Sequence, residues 1–390
     1  MKICLFDDKE WDQLLPLTYT RSVSDVRVGI LTLREKWEKR SGMECSVYTR
    51  AYLQNKYPSE KVQGEYLLIN SACIATAELF HAVFELKKGQ QLEGRLGWIA
   101  KRGEGDPLND HATFETVIFK GTEARVSFPW DVFSLNRIAL EEDFELLTHH
   151  RVSQMLSSTN TVIGNGKIFL EEGARVEACI LNATDGPIYL GKDAEIMEGS
   201  MIRGGLALGE HSTLKLGTKI YGPTTIGPHC KVGGEISNSV IFGYSNKAHD
   251  GFLGNSVLGE WCNLGADTNN SNLKNNYGMV KAFSPAQAEM ISTGLQFCGL
   301  IMGDHSKSGI NTMFNTGTVV GVNANVFGGG FPPKHIPSFF WGGADGFETF
   351  ELERSFDVSQ RVMSRRSLSF TDTDREIMRH IFNVTAKFRS

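Results

Sequence analysis

The stretch from Leu190 to Val232, LGKDAEIMEGSMIRGGLALGEHSTLKLGTKIYGPTTIGPHCKV, carries an aliphatic residue at every sixth position without exception. This series consists of Leu190, Ile196, Ile202, Leu208, Leu214, Ile220, Ile226 and Val232. If Leu, Ile and Val fill roughly a quarter of positions, eight consecutive hits have chance odds of about one in a hundred thousand. A period of six fits neither a helix nor a simple alternating strand. It predicts a solenoid of short parallel strands, stacked coil upon coil.

The six-residue period extends beyond this run in both directions. Leu170 and Val176 precede it, and after Val232 the phase shifts so that Val240, Phe252, Leu258 and Leu264 are predicted to share one register. Residues 267–298 depart from the repeat. The register then returns with Met302, Ser308, Phe314, Val320 and Val326. Since three hexads make one triangular coil, we predict roughly seven to nine coils.

Length and composition fit an ordinary globular protein of more than one domain. The 390 residues are 41% hydrophobic and 22% charged, and the net charge of −5 offers no field that would recruit nucleic acid. We find neither a signal peptide nor a membrane span in the sequence, and the seven cysteines are scattered without CxxC or zinc-type spacing. These features predict a cytoplasmic protein with reduced thiols and no nucleic-acid or membrane partner.

Residues 1–155 are predicted to form an α/β domain. Lys2–Phe6 and Tyr66–Ile69 are strand candidates, whereas residues 28–39, 77–86 and 130–144 show helical spacing. Strands that alternate with helices favour a parallel, Rossmann-like sheet covered by helices. The solenoid is assigned to residues 156–330.

Residues 331–390 are predicted to be a C-terminal arm with helices. The segment FPPKHIPSFFWGG, residues 331–343, is rich in Pro and aromatic residues, and we expect that it cannot continue a coil. Its aromatic side chains are expected to pack against the solenoid or a neighbouring subunit. Thr371 is a candidate N-cap for a last helix. Arg361, Arg365 and Arg366 form a small basic cluster, which would either lie on a solvated helix face or reach a CoA phosphate.

The shift of register after Val232 is where we look for chemistry, because a regular solenoid offers only flat faces. His249 lies beside this irregular stretch, close to the polar segment NNSNLKNNYG of residues 269–278. A histidine alone is a weak signal, since most histidines in turns are structural or merely exposed. An imidazole can nevertheless act as a general base near neutral pH.

The segment KAHDGFLGNSVLGEWCNLGA, residues 247–266, followed by SNLK at 271–274, resembles a known family. It is similar to the acetyltransferase half of bifunctional N-acetylglucosamine-1-phosphate uridylyltransferase/glucosamine-1-phosphate acetyltransferases, whose motif runs K-A-x-H-x-x-Y-x-G-D and then N-x-G-A-G-T. The divergent form of that family is the nearest match. The resemblance implies a left-handed β-helix, a homotrimer with sites between adjacent solenoids, a sugar-phosphate acceptor and acetyl-CoA as co-substrate.

The resemblance also implies roles for individual residues. His249 would be the general base, and the loop residue Asn272 would bond the sugar or the acyl group. Asn263 would be a second substrate-binding amide. The backbone N–H of Ala266 would face the thioester carbonyl, as an oxyanion donor does. Phe252 occupies the position of the family's Tyr.

The resemblance implies further positions, two of which depart from the family pattern. Lys219 would bind the phosphate, whereas Ser237 stands where a second basic residue is expected. Lys274 ends the SNLK motif and is assigned to substrate binding. Ile310 and Gly328 would line the acyl-CoA channel, Ile310 in place of a family Ser.

The N-terminal half resembles sugar nucleotidylyltransferases only in part. Their loop, G-x-G-T-R-x-x-P-L-T, cradles nucleotide phosphates. Here Pro16 and Thr18 match its end, and Arg21 and Arg27 are candidate cations, but the glycines are absent. If an NTP binds with Mg²⁺, Asp7, Asp8, Asp106 and Asp110 are candidate ligands, although scattered carboxylates are usually only solvated. No dedicated metal site is predicted.

Three functions follow from these observations. The first is acetyl-CoA-dependent N-acetylation of an amino-sugar-1-phosphate by the solenoid, with or without nucleotidyl transfer in the N-terminal domain. The second is nucleotidyl transfer alone, from UTP or dTTP to a sugar-1-phosphate. The third is a non-catalytic oligomeric scaffold that binds sugar nucleotides.

Overall fold

A computed structural model describes residues 1–58, 62–109 and 112–389. The chain forms an N-terminal α/β domain, a parallel β-solenoid and a C-terminal pair of helices, which confirms the predicted fold class. Within those described ranges, no helix is both long and apolar enough to cross a membrane.

The N-terminal domain is built on one six-stranded sheet with strand order β2-β1-β3-β5-β4-β6. Its strands are β1 (Lys2–Phe6), β2 (Cys45–Tyr48), β3 (Glu65–Asn70), β4 (Gln90–Gly94), β5 (Gly97–Glu104) and β6 (Glu115–Ile118). β1 pairs in parallel with β2 and β3, but β5 is antiparallel to both β3 and β4. The sheet is therefore mixed where a parallel one was predicted, because the short connection between β4 and β5 permits only a hairpin.

Helices cover this sheet and lead into the solenoid. They are α1 (Glu10–Gln13), α2 (Leu33–Ser41), α3 (Ala77–Phe84), α4 (Asp131–Ser134) and α5 (Asn136–Thr148), with 3₁₀ turns at Val23–Asp25 and Ala51–Lys56. The helix predicted from residue 28 begins only at Leu33, because Thr32 and Glu35 form a capping box there.

The solenoid has three faces, each a sheet of strands from successive coils, and we call them the first, second and third sheets. The first sheet contains Thr161–Ile163, Ile180–Asn182, Met201–Arg203, Lys219–Tyr221, Glu235–Ser237 and Phe252–Gly254. The second contains Ile168–Leu170, Ile188–Leu190, Leu206–Leu208, Thr224–Ile226, Val240–Ile241, Val257–Leu258, Leu300–Met302, Thr318–Val320 and His335–Ile336. The third contains Arg175–Val176, Glu195–Ile196, Thr213–Leu214, Lys231–Val232, Asn246–Lys247, Asn263–Leu264, Lys307–Ser308, Asn325–Val326, Phe340–Gly343 and Gly346–Thr349.

The residues from 267 to 299 leave the coil. Asn269–Asn270 pairs in parallel with Met313–Phe314 and continues the first face, and Lys281–Ser284 forms a hairpin with Glu289–Ser292. The departure predicted from the sequence is thus a loop that contains a β-hairpin, after which the coils resume.

The aliphatic series points into the solenoid, as predicted. Each of its eight side chains, from Leu190 to Val232, is at most 1% exposed. The register predicted after Val232 is wrong for Val240 and Phe252, which point outward. The inward residues there are Ile236, Ile241, Lys247 and Leu253, because the coil after Val232 is shorter and Ile236 follows after only four positions.

The Pro-rich arm continues the solenoid, contrary to the sequence-based expectation. His335–Ile336 joins the second sheet and Phe340–Gly343 joins the third, both in parallel. Pro332 and Pro333 precede the first of these strands and Pro337 lies between the two, at positions where no ladder N–H is needed. The chain ends with α6 (Leu352–Ser364), α7 (Asp372–Val384) and a 3₁₀ turn, Ala386–Phe388. Thr371 caps α7, as predicted.

The N-terminal domain and α7 pack on the outside of the second sheet. The shared core joins residues of the N-terminal domain with outward residues of that sheet such as Val240 and Val257, and with Ile381 of α7. On the outside of the first sheet, by contrast, Ile180 and Met201 are 40% and 53% exposed. Apolar side chains thus remain open on the first sheet, as Trp341 does at 43% exposure on the third.

The inward series should dominate stability. Ile202→Ala removes a side chain that is 1% exposed, and we expect the free energy of unfolding to fall by about 2–5 kcal/mol in urea titrations. Met201→Ala, the outward neighbour on the same strand, should change it by less than about 0.5 kcal/mol. Equal losses for the two variants would contradict the inward assignment.

Candidate active site

Four of the predicted site residues line up along the edge between the third and first sheets. They form what we call the corner column: His249, Ala266, Ile310 and Gly328. Each lies two positions after an inward residue of a third-sheet strand, and these strands pair in register. Since neighbouring strands are about 4.8 Å apart, the column spans roughly 14 Å over four coils. Residues from distant parts of the sequence thus share one edge.

Backbone N–H groups along the corner column are open to a ligand. Within the described residues, the N–H groups of Ala266 and Ile310 donate no hydrogen bond, whereas the Ala266 carbonyl accepts from Asn311 N at 2.9 Å. The two peptide groups that carry these N–H donors are held at their carbonyl ends, because Gly265 O accepts from Thr268 N at 3.2 Å and Gly309 O accepts from Thr312 Oγ1 at 3.0 Å. Donors fixed in this way cost no reorganisation when they stabilise a developing oxyanion.

A buried lysine holds the backbone at His249. Lys247 takes the inward position of its strand and is 1% exposed, and its Nζ donates to the carbonyls of Gly233 (2.9 Å) and His249 (2.6 Å). Burial lowers the pKa of this ammonium to about 8. The imidazole of His249 remains exposed at the edge. The sequence analysis missed this role, although a lysine in an otherwise aliphatic series is a visible signal.

The predicted acceptor residues of the first sheet lie beside this edge. Lys219 and Phe252 occupy the same outward column, separated by Glu235 of the strand between them. The distance across two strand spacings is about 10 Å. Asn272 donates from Nδ2 to Asn255 Oδ1 at 2.8 Å, in the turn that follows the strand of Phe252. These side chains therefore belong to one surface next to His249.

Two other predicted substrate residues lie elsewhere. Asn263 points outward from the third sheet, on the opposite side of the edge from Phe252. Lys274 donates to the carbonyl of Met279 inside its own loop. The structure thus does not bring all predicted acceptor residues to one point within a single chain.

The predicted nucleotide-binding residues are buried and engaged within the chain. The Thr18 hydroxyl donates to Trp11 O at 2.7 Å, and Pro16 is also buried. Arg21 forms ion pairs with Asp304 and, at 3.3 Å, with Glu260, so it ties the N-terminal domain to the solenoid.

Arg27 is likewise used inside the domain, since its guanidinium donates to the carbonyl of Ile30 and lies 3.6 Å from a carboxylate oxygen of Glu35. In this conformation none of the four predicted residues forms an open phosphate cradle.

The candidate carboxylates do not fit a magnesium site. Asp7 accepts from Ser22 Oγ at 2.9 Å and from Val23 N at 3.1 Å, and burial raises its pKa to about 6. Asp8 accepts from Trp98 Nε1 at 2.7 Å.

Asp106 lies in a separate exposed turn, and Asp110 lies outside the described residues. Within the part of the chain that the structure describes, no three His, Cys, Asp or Glu side chains are grouped to hold a metal ion.

Comparison with known proteins confirms the predicted resemblance. Residues 3–152 match the family model described as "Sugar nucleotidyl transferase". A bifunctional sugar-1-phosphate nucleotidylyltransferase/acetyltransferase of Sulfurisphaera tokodaii is 28% identical over 244 residues, which cover 59% of this chain and 53% of that protein. A bifunctional protein GlmU of Methanocaldococcus jannaschii is 33% identical over 90 residues, 23% of this chain and 21% of that protein.

The extent of these matches is limited. The chain spans about half the length of the Sulfurisphaera protein. Among solved structures, an Arabidopsis UDP-N-acetylglucosamine acyltransferase aligns with 60% of this chain and 94% of its own, at 18% identity and a TM-score of 0.25. The chain is thus similar in sequence to transferases that combine nucleotidyl and acetyl transfer.

The burial of Lys247 predicts a specific pH dependence of stability. Its pKa is about 8 in the folded chain and near 10.5 when unfolded, so below pH 8 the cost of burying the charge is fully present. As the pH rises from 8 towards 10.5 that cost is relieved. The free energy of unfolding of the wild-type chain should therefore rise relative to that of Lys247→Met. Urea titrations at pH 7 and 9.5 measure this difference, and a constant difference would contradict the assignment.

Proposed function

We propose that the solenoid transfers an acetyl group from acetyl-CoA to the amine of an amino-sugar-1-phosphate. The alignment of His249 with the open N–H groups of Ala266 and Ile310 on successive coils carries this proposal. A base beside a row of fixed donors suits acyl transfer, where an amine loses a proton and a carbonyl oxygen gains charge.

The corner column suggests how an acyl-CoA would lie. The thioester carbonyl faces the N–H of Ala266, and the extended thiol arm runs past Ile310 towards Gly328. The acceptor nitrogen attacks the carbonyl carbon while His249 accepts its proton. The C–N bond forms, the C–S bond breaks, and the proton passes from His249 to the departing sulfur. The products are the N-acetylated sugar and free CoA.

The acceptor would lie on the first-sheet side of His249, near Lys219, Phe252 and Asn272. Asn263 lies across the edge, and we propose that it contacts an acceptor bound by a neighbouring copy of the chain. The apolar side chains exposed on the first sheet suit packing between copies, and a homotrimer is the assembly that we propose. All seven cysteines are unpaired, which suits the proposed cytoplasmic location.

Replacing His249 tests the proposed acetyl transfer. In His249→Ala the amine would have no base, so kcat for glucosamine-1-phosphate and acetyl-CoA should fall by roughly 10²- to 10⁴-fold, measured by release of free thiol. His211→Ala is the matched control, because His211 is half exposed on another edge and lies 3.7 Å from Asp193. Its activity should equal that of the wild-type chain.

Undiminished transfer by His249→Ala would contradict the role of His249. If the wild-type chain binds sugar nucleotides but consumes neither acetyl-CoA nor an NTP, the non-catalytic scaffold becomes the better description.

Nucleotidyl transfer by the N-terminal domain is the second candidate, favoured by the family match over residues 3–152. Because Arg21 is held by Asp304 and Glu260, we expect the full chain to release no pyrophosphate from UTP or dTTP with glucose-1-phosphate or N-acetylglucosamine-1-phosphate and Mg²⁺. Steady pyrophosphate release above a no-enzyme control would contradict this expectation and would establish the second function.

A further inference from the structure

A cavity of about 490 Å³ lies between the outer face of the third sheet and the C-terminal end of α6. Its floor is a column of outward residues on four successive strands: Lys231, Asn246, Asn263 and Lys307. These strands are about 4.8 Å apart, so the two lysines stand roughly 14 Å from one another. The roof is formed by Val362, Arg365 and Arg366.

All the charged side chains that line this cavity are positive. Four cationic side chains line it and no carboxylate does, in a chain whose net charge is −5. Across the described residues, none of these four cations takes part in a salt bridge; Lys307 donates to His305 O at 2.7 Å and Arg366 to His229 O at 3.2 Å. Cations gathered without counter-charges repel one another, and an anion would relieve that repulsion.

The lining supplies two further recognition elements. The Oδ1 atom of Asn246 is buried and has no hydrogen-bond partner among the described residues. A buried acceptor of this kind is costly unless a ligand donates to it. Tyr244 and Trp261 stack at 4.3 Å between ring centroids, in a series that continues to His229 and His305, so their ring edges form an apolar wall of the cavity. Such a wall suits the apolar part of a phosphorylated ligand.

We propose that this cavity binds the phosphoryl group of a small phosphorylated ligand, held between Lys231 and Lys307 of the third sheet and Arg365 and Arg366, which directly follow α6. The position is separate from Lys219 on the first sheet, and it places a cationic site in a chain that has Ser237 where a second basic residue was expected. Ala248, the residue before His249, lines the cavity, so the cavity borders the corner column. Phosphate binding does not require acetyl transfer, and either can fail while the other stands.

Direct binding measurements on the full chain test this site. The probes are glucosamine-1-phosphate, CoA and inorganic phosphate, titrated by calorimetry at low and high salt. We expect the wild-type chain to bind at least one of them, more weakly at high salt. The double variant Arg365→Gln/Arg366→Gln should weaken that binding by at least about tenfold, because charge-assisted hydrogen bonds are lost.

Two further variants separate the site from a change in folding. Lys231→Gln removes a positive charge from the floor of the cavity. Lys231 belongs to the third sheet and not to the C-terminal helices, and its replacement should also weaken binding by about tenfold. Arg354→Gln removes the same charge from α6 but outside this cavity, where Arg354 pairs with Glu351, and should bind like the wild-type chain. Circular dichroism melting curves check that each variant folds.

The pattern of losses identifies the ligand. A loss confined to CoA assigns the cavity to the coenzyme, and a loss confined to glucosamine-1-phosphate assigns it to the acceptor; both support the site. Unchanged binding in the double variant and in Lys231→Gln would overturn the proposal. Failure of the wild-type chain to bind any of the three probes would also overturn it.

Discussion

Every coil of the solenoid must place one side chain from each face into a narrow shared core, and the rest of the structure depends on this constraint. Burial of each Leu, Ile or Val in that core contributes about 1.5–3 kcal/mol before the entropy cost of ordering the chain. The core also fixes the register, since a slip by one residue would turn an inward side chain outward. Once the register is fixed, equivalent positions of successive coils stack. His249, Ala266, Ile310 and Gly328 share one edge for this reason, although more than seventy positions of sequence separate the first from the last.

Lys247 shows how the same constraint serves the site. Its ammonium occupies an inward position that an aliphatic side chain would fill at lower cost, and burial lowers its pKa to about 8. In return it binds the carbonyl groups of Gly233 and His249 and so fixes the turn that carries the imidazole. The free-energy cost of burying this ammonium is the cost of holding the backbone at His249 in one position, as a preorganised site requires.

The period of six was sufficient to predict the solenoid, because that period arises from the burial of one side chain per hexad in the solenoid core. The sequence could not reveal that the coil after Val232 is short, so Val240 and Phe252 were assigned inward although they face the N-terminal domain and solvent. Proline content predicted that residues 331–343 would leave the coil, yet these prolines lie between strands, where their missing N–H has no effect. In the site, His249 and Ala266 were predicted by resemblance, and their alignment on one edge required the structure. The engagement of Arg21 with Asp304 joins residues far apart in sequence, and no local pattern signals it.

We propose that the acyl donor binds at the edge between the first and third sheets and not at the N-terminal sheet. A crystal structure of the full chain soaked with CoA tests this most directly. We expect the thiol to lie between His249 and the N–H of Ala266, with the pantetheine arm along Ile310. Well-ordered CoA bound away from this edge, with the corner column left empty, would contradict it.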